Sequence, residues 1–172
     1  MSKKRWIAGA VSAAALLASA GASATTLNQL SFGEMVSSAS ACVSGEVIGS
    51  SVIERDGAVY TQTQFRVTKT AFGNTDNVIT VETSGGAKKL GRLRAAEVNA
   101  GTPVFFENQE RLLLVTPNAS GTMDIVGYNQ GSFPILNGSV TLPGTLSVLS
   151  VDDAFDAIND TRSNSATGEI SE

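Results

Sequence analysis

Ala58-Val59-Tyr60-Thr61-Gln62-Thr63-Gln64-Phe65-Arg66-Val67-Thr68-Lys69-Thr70 decides the reading of this chain. Val59, Thr61, Thr63, Phe65 and Val67 alternate with Tyr60, Gln62, Gln64, Arg66 and Thr68, a strict period of two. That period describes a strand with one face against a core and the other in water. Asp56-Gly57 stands just ahead of it, the dipeptide favoured where a tight hairpin needs positive φ. On the far side of that turn, Val43, Val47, Ile48, Val52 and Ile53 are β-branched and suit a partner strand. The two strands are therefore expected to pair antiparallel.

Working outward, Phe72-Gly73-Asn74-Thr75-Asp76-Asn77 is a turn by composition, and Val78 to Thr83 reads as a third strand. A glycine-bearing, charged segment from Ser84 to Pro103 reads as a long loop. Leu112-Leu113-Leu114-Val115 is nearly continuous in apolar residues, as a strand buried on both faces must be. Pro117 to Gly121 turns the chain into a fifth strand over Met123–Tyr128, and Phe133–Leu136 adds a short sixth. Ser31-Phe32-Gly33-Glu34 has the form of a capping box for a helix over 32–38. Ser150-Val151-Asp152-Asp153 caps a second helix over 151–159, with both acids in the first turn where the macrodipole favours them. The Ser-, Asn- and Thr-rich residues 161–172 read as a disordered tail. The fold class that fits best is mainly β: a small OB-like, partly open antiparallel barrel with a short helix near each end. A small sandwich is the alternative.

The chain begins with Lys3-Lys4-Arg5, runs uncharged from Trp6 to Ala24 and closes on Ala22-Ser23-Ala24. Those are the three parts of a secretory signal. Residues 1–24 are read as a cleaved signal peptide, 25–160 as a single β-rich domain, and Thr25 as the new terminus. The run is long enough for a membrane anchor, but it is mostly Ala, Ser and Gly, which insert weakly. The expected localisation is exported, periplasmic or extracellular, with no stable membrane insertion after cleavage. Cleavage removes three of twelve cations and none of the sixteen acids. An acidic remainder disfavours nucleic acid as a partner.

The inventory of reactive groups is short. No histidine is present, which removes Ser-His-Asp and Cys-His sites and histidine-bound zinc. Cys42 is the only cysteine, so there is no internal disulfide and no C-x-x-C pair, and a buried core thiol is its plain reading. Gly85-Gly86 before Lys88-Lys89 lacks the spacing of a phosphate loop. Ser84 and Lys88 lack the spacing of a serine–lysine hydrolase. Asp152, Asp153 and Asp156 cluster, but a helix cap accounts for the first two without a site. Glu107 and Glu110 lack an aromatic subsite to suggest a sugar-cleaving pair: beyond residues 1–24 the chain holds no Trp and only two Tyr to stack a sugar. No calcium-loop pattern occurs. No cofactor, metal or catalytic residue is assigned. Lys88, Lys89, Arg92 and Arg94 gather four cations in seven residues of an acidic chain. They are the candidate contact for an acidic protein partner, against the plainer reading of a solvated charge run.

Val43-Ser44-Gly45-Glu46-Val47, Tyr60-Thr61 with Phe65-Arg66-Val67, Gly73, Gly85-Gly86 and Gly127-Tyr128-Asn129-Gln130-Gly131-Ser132-Phe133 together resemble a pattern in uncharacterised exported bacterial proteins. That resemblance covers most of residues 31–136 and implies no enzymatic role. The order of elements is similar to the netrin-like domain of tissue inhibitors of metalloproteinases, an OB-like barrel. Those inhibitors use disulfides and an N-terminal cysteine that chelates the target's zinc, whereas this chain offers Thr25 there. The leading expectation is an exported, non-enzymatic binding module of unknown partner. The alternatives are an inhibitor or accessory protein of an extracellular protease, and a hydrolase with an unrecognised Ser/Lys or carboxylate site.

Overall fold

A computed structural model describes residues 28–90, 93–97, 99, 101–145 and 147–168. The expected signal peptide and Thr25 lie outside the described residues, as does Arg92. The elements run α1 (Phe32–Ser38), β1 (Ala41–Arg55), β2 (Ala58–Phe72), β3 (Val78–Ser84), β4 (Gly86–Leu90), β5 (Leu93–Glu97), β6 (Glu110–Pro117), β7 (Met123–Ile125), β8 (Ser132–Ile135), β9 (Ser139–Val140), β10 (Leu149–Ser150) and α2 (Val151–Gly168).

The alternating stretch forms β2, which pairs antiparallel with β1 across the Asp56-Gly57 turn, both residues at positive φ (53° and 79°). β3 pairs with β2 antiparallel. β6 pairs with the first half of β1, from Ala41–Val115 to Glu46–Glu110. β7 joins β6 antiparallel on one side and touches β3 on the other through a single parallel pair, Val81–Met123. The ring β1-β2-β3-β7-β6-β1 is thereby closed, but only just, at the β3–β7 seam. This is the OB-like, partly open barrel of the sequence reading. Register slips in β1 at Cys42/Val43, Ser44/Gly45 and Val47/Gly49 supply the curvature that closure needs.

Parity divides the core. Val43, Val47, Phe65, Ile79, Val81, Leu113, Val115 and Ile125 fill the barrel. Cys42, Leu112 and Leu114, one position out of phase, pack outside it against Met35 and Val36 of α1 and Ala154, Phe155 and Ile158 of α2. The uninterrupted run Leu112–Val115 is fully buried because its strand lies between barrel and helices. The α1 capping box is present, with Glu34 N–H donating to Ser31 Oγ and Glu34 accepting from Ser31 N–H.

Four expectations change. The segment Ser84–Pro103 is not all loop: β4 and β5 form a two-stranded hairpin, which satisfies main-chain groups that an irregular connection would leave to water. The fifth strand stops at Ile125, because Gly127 and Tyr128 turn left-handed (φ 63° and 67°). A small additional sheet, β9 with β10, was not read from sequence. The second helix continues to Gly168, through residues expected to belong to the tail. Thr161 and Ser165 bond carbonyls four residues back. The Arg162 guanidinium lies 3.9 Å from the Phe72 ring centre, and its Nη1 donates to the Ala39 carbonyl at 3.3 Å. Tertiary contacts thus hold a helix that composition disfavours.

Candidate functional site

The site grows from the outward face of β2 and β3. With Phe65 and Val81 pointing into the barrel, Tyr60, Gln62 and Glu82 fall on the opposite parity, and Gln62 sits directly across from Glu82. The hairpin turn brings Arg55 back over this face. Its Nη2 donates to Glu82 Oε1 at 2.6 Å and its Nη1 to Oε2 at 3.1 Å, while the guanidinium stacks 4.5 Å from the Tyr60 ring centre. Gln62 Nε2 donates to Glu82 Oε2 at 3.1 Å and Ser120 Oγ to Oε1 at 3.4 Å. The Glu82 side chain is only 5% exposed. The hydrogen bonds from Arg55, then Gln62 and Ser120, hold its carboxyl below the usual range against the opposing effect of burial. With both oxygens occupied and the group held ionised, Glu82 anchors the hairpin tip and is unsuited to donate a proton.

Opposite stands the β6–β7 loop. Asn118 Oδ1 accepts from the Ser120 and Thr122 amides at 3.0 and 3.1 Å, and Asn118 Nδ2 donates to Asp124 Oδ1 at 2.8 Å. The amide side chain replaces a backbone turn, so this wall is internally braced and the Ser120–Glu82 bond ties it across the seam.

The third wall is the excursion that interrupts the fifth strand. Leu114 N–H donates to Gly131 O, Leu114 O accepts from Val126 N–H, and Gly131 N–H donates to Val126 O. The loop is therefore pinned shut at its base while residues 127–130 project. Gln130 holds it from beneath: its Oε1 accepts from Leu30 N–H at 2.8 Å, and its Nε2 donates to Asn28 O and Gly127 O. Tyr128, at φ 67° and 58% exposed, is carried at the crest. A bulky side chain in the left-handed region costs free energy that the surrounding structure must offset.

Arg55, Tyr60, Glu82, Thr83, Ser84, Thr102, Asn118, Ser120, Asp124 and Tyr128 thus border a cleft of about 580 Å³, within the size range of small-molecule sites. A second, more apolar slot of about 350 Å³ shares Thr83, Ser84, Thr102 and Pro103 with it. This slot is lined from the inward parity of β1 and β2 by Val52, Thr61 and Thr63, and from the β4–β5 hairpin by Ala87 and Ala96. The hairpin crosses so closely that a Cβ on Gly86 would sit 2.6 Å from Thr61 Oγ1.

No family model and no curated protein matches this chain. The site therefore rests on its own residues.

Of the candidate contact residues, Lys88 and Lys89 lie on β4 and Arg94 on β5, with Lys89 in register with Arg94 and Lys88 with Ala95. Arg92 lies outside the described residues. The structure therefore places three of the four cations on a hairpin flanking the apolar slot, not on an irregular loop. Among the described residues no group of three His, Cys, Asp or Glu side chains gathers as a metal site, and no helix is long and apolar enough to cross a membrane. Cys42 is fully buried, and burial pushes its thiol up to about 12. Ser150 caps α2 through the Asp153 amide, and Asp152 pairs with Lys69 at 2.6 Å.

Sequence reasoning missed Arg55, Glu82, Ser120, Asp124 and Tyr128 as a group, because positions 55, 82 and 120–128 lie far apart in the chain. One signal was available. The chain has only two tyrosines, and both border this cleft.

Proposed function

We propose that this chain is an exported, non-enzymatic binding module whose ligand occupies the cleft between the β1–β2 turn and the β6–β7 loop. The observation that carries the reading is the position of the cleft. It lies over the β2–β3 face between the loops that follow the first and fourth strands of the barrel ring, the surface on which OB-like barrels characteristically bind. Its walls are braced before any ligand arrives, which limits the ordering cost of binding. Its one buried carboxylate is locked to Arg55, which favours recognition over proton transfer. The basic residues Lys88, Lys89, Arg92 and Arg94 form a second contact in this proposal, for an acidic protein partner.

Backbone hydrogen exchange tests it. Extract from the native envelope or culture medium, added to the purified protein, should protect residues 55–62 and 118–128. Ser120→Trp, which fills the cleft, should abolish that protection while leaving the melting temperature within a few degrees. Protection confined to other segments, or chemical turnover of an extract component by substoichiometric protein, would overturn the proposal.

A protease-inhibitor reading shares the barrel order with the netrin-like likeness but has no zinc-chelating terminus to offer. Inhibition of an extracellular protease by the purified chain at near-equimolar ratio would favour it.

A further inference from the structure

We infer that the ligand of this cleft is a neutral oligosaccharide whose sugar ring stacks on Tyr128, an inference that rests on the cleft being the binding site. Charge narrows the choice first. Among the described residues the one cation lining the cleft, Arg55, is bound through both terminal nitrogens to Glu82. The other charge there is the Asp124 carboxylate, one of whose oxygens accepts from Asn118. Among the described side chains no unpaired cation lines the cleft to hold a phosphate, sulfate or carboxylate, and the chain's net charge of −4 repels polyanions at longer range. What the cleft does offer is short-range and uncharged: the hydroxyl oxygens of Thr83, Ser84, Thr102 and Ser120, which bond to Thr61 O, to each other, and to Glu82 and Asn118 and keep lone pairs that can accept from a ligand. Such a set matches a ligand whose polarity is spread over many hydroxyl groups.

Tyr128 supplies the complementary element. A sugar ring has an apolar C–H face, and an aromatic ring buries it without a charge partner. Here that aromatic is kept mostly exposed on a left-handed residue, in a loop pinned at Leu114 and propped by Gln130. Nothing in the packing of the core calls for a tyrosine at this crest. A peptide added as a strand is the main competitor, because among the described residues Glu82–Ser84 of β3 have no ladder partner on the β7 side. That free edge is short, and the Ser120–Glu82 bond crosses it, so it makes a poor template for strand addition.

The experiment is isothermal titration of the purified protein with cellohexaose, maltohexaose, mannohexaose and chitohexaose. An alginate hexamer and a mixed peptide library serve as charged and peptidic comparators. At least one neutral hexaose should bind with a dissociation constant below about 1 mM. Its affinity should change less than about twofold between about 50 and 500 mM NaCl, because no ion pair forms. Tyr128→Ala should weaken it by about tenfold, as loss of a stacked ring implies, and Tyr128→Phe by less than about threefold. Both variants are checked for unchanged thermal melts. Absence of heat with all four neutral hexaoses overturns the saccharide. If the alginate or a peptide binds instead and Tyr128→Ala weakens it, the assignment of a neutral oligosaccharide falls while the cleft stands. If a hexaose binds and neither Tyr128→Ala nor Ser120→Trp affects it, the sugar lies elsewhere and both readings fall.

Discussion

Phe65→Ala is the substitution that examines the barrel most directly. Phe65 is fully buried in the barrel, opposite Val47 on β1 and Ile79 on β3, and its ring meets Phe105 edge-to-face at 5.1 Å and 85°. Burying a phenyl group of this kind contributes about 1.5–3 kcal/mol by transfer from water. The aromatic contact adds about 0.5–1.5 kcal/mol. A closed ring of hydrogen-bonded strands cannot collapse readily onto the void, so a cavity penalty remains, and the expected loss is about 3–5 kcal/mol. Gln64, the next residue, is exposed, and Gln64→Ala should cost less than about 0.5 kcal/mol. Urea melts of the two variants beside wild type make the comparison, with equal slopes required so that the midpoints report stability alone. Phe105→Leu in the Phe65→Ala background should cost less than in wild type, because the aromatic partner is already gone. Equal losses at positions 64 and 65, or a loss at 65 below about 1 kcal/mol, would refute the inward assignment of β2 and the barrel core built on it.

Glu82 has a carboxyl held low by Arg55, so its contribution is fully present above the ordinary carboxylate pKa and is lost as pH falls through its lowered folded value. Wild type should therefore exceed Glu82→Gln in urea midpoint at pH 7, with the two curves converging on acidification below about pH 4; parallel curves would reject the linkage. The Cys42 thiol, buried and pushed up to about 12, should be silent to a thiol reagent at about pH 8 in the native protein and react once urea unfolds it; stoichiometric native labelling would contradict its burial. Replacing Lys88, Lys89, Arg92 and Arg94 by Gln should leave the thermal midpoint within about 2 °C, yet slow association with an acidic protein partner and flatten its salt dependence; wild-type rate and salt dependence would make the hairpin a solvated charge run. The exported protein should begin at Thr25 by intact mass, and retention of residues 1–24 would defeat the expectation of cleavage.

What the sequence determined by itself was local and periodic. The alternation over 58–70 determined β2 and its buried face, because side chains on a strand repeat every two residues whatever lies around them. Asp56-Gly57 determined the hairpin, since few residues accept positive φ there. The capping box at Ser31–Glu34 placed α1 at its observed ends, and the apolar run Leu112–Val115 announced a strand covered on both sides. Each of these depends on neighbours in the chain.

The tertiary structure decided what depends on distant partners. Residues 161–168 are weak helix formers alone and become helix where Arg162 reaches Phe72 and Ala39. The fifth strand looked continuous to Tyr128, but Leu114 pins Val126 and Gly131 together and expels the residues between them. Ring closure rests on pairings between segments some seventy residues apart, such as Ala41 with Val115. The cleft is the furthest from the sequence of all. Arg55, Glu82, Ser120 and Tyr128 carry no motif among themselves; they meet because a barrel brings its first turn, its third strand, its fourth-strand loop and the excursion after its fifth strand to one end. Closure entropy is overcome there by the buried core, and only the folded ring sets those polar side chains side by side.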